Sequence, residues 1–156
     1  MEPNLFAEVA DIVRSMAPDG LGELRLRSHR RGVKVWFGPQ AAPRVHYEAQ
    51  LIRRRFIDDA DGIALEIGFH SELKTETDNQ AEIDRLLKKK RVWSKELGDV
   101  VTGGAFLGND TWRRLSEVWI EPNLDDPDLA FEIGSRLVDY LDLFEPLRNE
   151  PSTPLS

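Results

Sequence analysis

Few residues in this chain can do chemistry. It has three histidines, His29, His46 and His70, and no cysteine. Two of the histidines stand close to glutamate: His46 lies two residues before Glu48, and Glu66 lies four residues before His70. Two imidazoles and a carboxylate can hold zinc or another divalent ion. A histidine–glutamate pair can also move a proton near neutral pH, where imidazole titrates. Without cysteine, disulfides, thiolate nucleophiles and cysteine-held zinc or iron–sulfur clusters are excluded.

Whether these residues meet depends on the strands that carry them. In residues 44–55, RVHYEAQLIRRR, apolar Val45, Tyr47, Ala49 and Leu51 alternate with His46, Glu48 and Gln50. Residues 62–72, GIALEIGFHSE, repeat the pattern with Glu66 and His70 on the polar side. Alternation of this kind marks a strand with one buried face. Two more alternating runs, 23–29 and 33–37, precede them and meet at HRRG, which reads as a hairpin turn with Gly32 taking positive φ. Together they predict a four-stranded antiparallel meander, in which Arg25 lies beside Trp36 in a cation–π pair.

Helical periodicity frames this sheet. Leu5, Phe6, Val9, Ile12, Val13 and Met16 form one apolar stripe, and Ile83, Leu86, Leu87, Trp93 and Leu97 form another within 76–97. Thr77 and Gln80 offer a capping box for the second helix. Two strands joined by NDTW, residues 109–112, follow. A last helix is expected from an Asp126 cap and Pro127 to a stop at Pro146. The order is α-ββββ-α-ββ-α. It predicts an α+β fold of two layers, one domain over residues 1–148 and a flexible tail over 149–156. All three helices cover one sheet face, and the other is left open or placed at an interface.

That second face is the predicted binding face: Arg25, Arg27, Trp36, His46, Glu48, Gln50, Glu66, His70 and, if Val118 and Ile120 point to the core, Trp119. His46 begins the third strand and His70 ends the fourth, so only these two histidines can be neighbours. With Glu48 and Glu66 they form the candidate metal or acid–base cluster, with zinc as the alternative to having no cofactor. Two tryptophans on an uncovered face favour a homodimer or protein partner.

Charge divides the chain. Its net charge is −7, yet residues 23–55 carry nine Lys/Arg against Glu23 and Glu48, and residues 120–150 carry nine Asp/Glu against Arg136 and Arg148. Arg30 and Arg31 in the first turn and Arg53, Arg54 and Arg55 after the third strand make one end of the meander basic. They are candidates for polyanion or nucleic-acid binding. Asp58, Asp59 and Asp61 in the next loop, with a pI near 5.0, argue against it.

No phosphate-binding loop, dinucleotide fingerprint, nucleophile elbow or H-E-x-x-H occurs. Glu72–Leu73–Lys74 fits the (D/E)-x-K part of a nuclease signature. It follows a strand end instead of lying within a strand, so no family is assigned from it. An acidic start without a long apolar run predicts a cytoplasmic chain with no membrane span. The leading expectation is a non-catalytic binding or regulatory module, with a metal-dependent or acid–base hydrolase as the alternative.

Overall fold

The computed structural model describes residues 5–150. Helix α1 (Leu5–Met16) leads into strands β1 (Leu24–His29), β2 (Gly32–Phe37) and β3 (Val45–Arg53). The one-turn α2 (Arg55–Asp58) and β4 (Ile63–Ser71) follow. Helices α3 (Glu76–Leu87) and α4 (Lys90–Leu97) come next, then β5 (Thr102–Phe106), β6 (Asn109–Ile120) and α5 (Leu129–Arg148). The fold is α+β, with one antiparallel sheet in the order β1-β2-β3-β4-β6-β5. Crossing over through α3 and α4 lets the last hairpin return with β6, not β5, against β4.

The apolar half of each strand alternation faces the helices, as its period requires. Val33, Val35, Tyr47, Ala49, Leu65, Ile67, Phe69 and Leu115 join Phe6, Val9 and Val13 of α1 and Ile133, Leu137, Tyr140, Leu141 and Phe144 of α5 in one buried cluster. Ile83, Leu86, Trp93 and Leu97 of α3 and α4 belong to it as well. Edge-to-face stacking of Trp93 and Tyr140 on Phe144, at 5.4 and 5.3 Å, ties α4 and α5 together.

Several local features differ from the sequence expectation. The helix expected over 76–97 breaks at Lys88–Lys89, where Leu86 O accepts from Lys89 N at 3.0 Å and from the Trp93 indole N–H at 2.8 Å. Its N-cap is Thr75, whose hydroxyl accepts from Asp78 N, not Thr77. Helix α5 begins at Leu129, because the Asp126 carboxylate accepts from Asp128 N and holds a turn there. Pro146 lies inside its last turn and does not end it. NDTW belongs to β6 itself. Gly32 sits within β2 without positive φ; a Cβ there would stand 2.8 Å from Ala49 O, so close strand approach demands the glycine. Residues 151–156 of the expected tail lie outside the described residues. No helix among the described residues is long and apolar enough to cross a membrane.

Candidate metal centre

Strands β3 and β4 pair in a register that sets His46 directly opposite His70, Glu48 opposite Gly68 and Gln50 opposite Glu66. Directly opposed residues share a face, so these polar residues converge. Gly68 leaves the position across from Glu48 without a side chain. A Cβ there would stand 2.6 Å from Ser116 Cα, so β4 and β6 also approach too closely for any other residue. Through this gap Glu48 Oε1 reaches both imidazoles, 3.0 Å from His46 Nε2 and 3.3 Å from His70 Nδ1.

A fourth donor comes from just beyond the strand. Glu72 Oε2 lies 3.6 Å from His46 Nε2 and 3.8 Å from His70 Nδ1. Its backbone is fixed on both sides. Glu72 N donates to Arg44 O, and buried Asn79 accepts from Ser71 Oγ and Leu73 N while donating to Leu73 O. The four donor atoms of His46, Glu48, His70 and Glu72 all lie within 4.8 Å of one another. Zinc bound tetrahedrally at about 2.0–2.2 Å sets its donors roughly 3.3–3.6 Å apart. The four distances above run from 3.0 to 3.8 Å and bracket that spacing.

The outer nitrogen of each imidazole is also held. His46 Nδ1 lies 2.9 Å from Pro43 O, a carbonyl that can only accept, so Nδ1 carries a proton and Nε2 is the nitrogen that faces Glu48. His70 Nε2 lies 2.6 Å from Glu66 Oε2, and Gln50 Nε2 donates to Glu66 Oε1 at 2.9 Å. Glu66 therefore orients His70 from behind and is not a member of the donor set.

Burial gives these contacts their strength. His46, Glu48, Glu66 and His70 are all buried. Burial alone would lower the pKa of His70, but the Glu66 and Glu48 carboxylates outweigh it and lift it to about 10. Burial opposes charge on Glu48 too, yet hydrogen bonds from His46 and His70 hold its carboxyl far below the usual carboxylate range. Burial likewise opposes ionisation of Glu66, and the nearby His70 outweighs it and lowers the pKa. Opposite His70 on β6 stands Arg114, whose side-chain hydrogen bonds among the described residues run from Nη1 to Ser116 Oγ and O. Its buried Nε has no partner among the described residues.

The part of the face that carries His46, Glu48, Glu66 and His70, expected to be open or at an interface, is covered by the chain itself. The β5–β6 ladder slips register at Ala105/Phe106, and the Phe106 ring turns edge-on to His70, with centroids 4.7 Å apart. The following Gly108 turn lies against Phe56 of α2, at the opposite end of the sheet from the Ser71–Arg113 pair where β6 enters it. The hairpin tip thus leans over the polar face. Trp36 is only 5% exposed and donates its indole N–H to Pro39 O at 2.7 Å, so the 38–44 connection covers it.

Trp119 is on the other face. It opposes Leu65, packs against the core, and donates to Glu117 Oε2. The sequence expectation fails here because Val118 and Ile120 look like core residues. Glu117, which shares the core face, is a buried carboxylate satisfied by Arg136 Nε and the Tyr140 hydroxyl, both at 2.7 Å. Arg25 does face Trp36 across the strand pair, but its guanidinium goes to Glu23 and Gly38 O. Arg27 is exposed.

At the basic end Arg54 pairs with Asp58 and Glu121, and Arg31 donates to Leu51 O. Arg30, Arg53 and Arg55 are exposed and form no ion pair among the described residues. The acidic loop therefore neutralises one arginine of the five. Glu72, the donor that sequence reasoning did not place in the cluster, was signalled by spacing. It follows His70 by two residues and so continues the polar side of the alternation past the strand end. No model of a known protein family, no curated protein and no solved structure was found to match this chain.

Proposed function

We propose that this chain is a divalent transition-metal-binding module that holds one ion, zinc foremost, between His46 Nε2, Glu48, His70 Nδ1 and Glu72. One observation carries the reading. Both imidazoles have their outer nitrogen bonded to an acceptor, Pro43 O or Glu66, and both aim the inner nitrogen at the same two carboxylates. Outer partners of this kind orient metal-bound histidines and fix their tautomers. Without a cation, the His46 Nε2 lone pair would face a carboxylate oxygen at 3.0 Å, an arrangement of two acceptors that requires a proton between them. A metal ion satisfies all four donors at once.

Charge supports a divalent ion. Three carboxylates, Glu48, Glu66 and Glu72, surround the site, against one cation, Arg114, once both imidazoles are neutral ligands. A charge of two closes that balance. Four protein donors, three of them from buried residues, fit a closed binding or structural site better than a catalytic one, which keeps a position for water. The mass of the folded chain, measured under native conditions after dialysis against zinc, tests the reading. One zinc per chain, lost in His46→Ala, is the expected result. A folded wild-type chain that takes up no zinc, cobalt or nickel contradicts it.

A further inference from the structure

A second site lies beyond the end of the sheet, between the 38–44 connection, Leu73 and the last turn of α5. It is a groove of about 360 Å³, within the roughly 300–1,000 Å³ of small-molecule sites. Its walls differ in character. One side is apolar, formed by Trp36, Phe37 and Leu73. The Trp36 indole N–H is already spent on Pro39 O, so that residue offers ring surface only.

The other side is polar and positive. Arg148 lines it and spends Nη1 on Glu145 Oε1 at 2.8 Å, with its guanidinium stacked 5.0 Å from the Phe69 centroid. Its Nε is buried and has no partner among the described residues. An unmet buried donor on a cation is costly and calls for an acceptor. Glu145 does not supply one: its Oε1 accepts from the Tyr47 hydroxyl at 2.9 Å and from Arg148 Nη1, and neither of its oxygens bonds Nε. Arg44 stands at the rim, exposed and without a carboxylate partner among the described residues; its one side-chain hydrogen bond, to Glu72 O, is long at 3.4 Å. Arg85 donates to Arg148 O at 2.8 Å and so occupies a carbonyl at the end of α5 that would otherwise repel an anion. Among the lining residues two arginines therefore face one carboxylate.

We propose that this groove binds a small organic monocarboxylate, its head on the free edge of Arg148 with Arg44 beside it and its apolar body along Trp36, Phe37 and Leu73. A guanidinium edge matches a planar carboxylate. The apolar wall gives an inorganic ion nothing, and Glu145 disfavours a dianion such as phosphate. His46 also lines the groove, but the residues that would hold the carboxylate, Arg148 and Arg44, are not donors to the ion.

The test is titration of the full chain with hexanoate, 1-hexanol and inorganic phosphate, followed by amide and indole NMR shifts. Hexanoate should give saturable shifts at Trp36, Leu73 and Asn149, with 1-hexanol and phosphate at least tenfold weaker. Arg148→Lys keeps the charge against Glu145 but loses the free edge, and should weaken hexanoate about tenfold. Arg44→Gln, on the exposed rim, provides the same check without risk to the fold and should weaken it several-fold. Equal binding of 1-hexanol, tighter binding of phosphate, shifts elsewhere or no saturation would each overturn the proposal.

Discussion

His46 and His70 face one another across the β3–β4 pair with ring centroids 5.7 Å apart, and their inner nitrogens share one oxygen, Glu48 Oε1. The register of two antiparallel strands is enough to bring them together. Glu48 holds the pair and Glu72 closes it, so the centre is built from one hairpin and the residue just beyond its end. Its behaviour should follow from those contacts.

Glu66 holds His70 without being a donor to the ion. Glu66→Gln keeps the shape and an accepting oxygen but removes the charge behind the imidazole. Zinc affinity should fall about 10–100-fold, read by calorimetric titration, while Glu72→Gln should weaken binding by removing a direct donor. Equal affinity for wild type and Glu66→Gln would show that Glu66 has no orienting role.

Proton competition gives a second expectation. In the metal-free chain the His70 pKa is raised to about 10, above its ordinary 6.5. A raised value means the ion pairs of His70 stabilise the fold fully below about pH 6.5, and that contribution is lost as pH rises through about 10. Zinc needs the same nitrogen unprotonated, so its apparent affinity should increase with pH across that window, with proton release on binding near pH 7. Calorimetry in buffers of different ionisation enthalpy measures the released proton. Affinity independent of pH between 6.5 and 9 would contradict the assignment of His70 as a ligand.

Gly68 makes room for the centre. Gly68→Ala puts a Cβ within 2.6 Å of Leu115 O and Ser116 Cα and also disfavours its backbone, at φ +154. The fold should lose about 1–3 kcal/mol in urea denaturation. A fully stable variant would mean that β4 and β6 can part without cost.

On the opposite face, Glu117→Ala would leave Arg136 Nε, the Tyr140 hydroxyl and the Trp119 indole N–H without their acceptor. Removing one partner from such a buried group costs about 3–5 kcal/mol. Thermal unfolding should shift down accordingly, and Trp119 fluorescence should change in the folded state. Tyr140→Phe removes one bond of the three and should cost less.

Strand alternation made much of this legible before any coordinates. It predicted the meander and the core face, and it made His46 and His70 the only two histidines that could be neighbours, with Glu48 and Glu66 near them, while the register that sets them opposite one another came from the structure. Three things escaped it, each for a physical reason. Trp119 and Val118 are both apolar, so nothing in that pair marks which is outward, and the inward Glu117 points the wrong way because Arg136 and Tyr140, its partners, lie on α5. Cover for the polar face comes from Phe106 at a register slip, and nothing in a local pattern says that a hairpin tip will bend back. Glu72 lies past the strand end, where only the Asn79 and Arg44 contacts decide its direction.

The coordination itself is the most direct test. X-ray absorption of the zinc-loaded chain should show one ion with two imidazole nitrogens and carboxylate oxygens at about 2.0–2.2 Å, and the imidazole signal should fall by half in His46→Ala. Zinc ligated only by oxygen, or an imidazole signal unchanged by loss of His46, would contradict the centre described here.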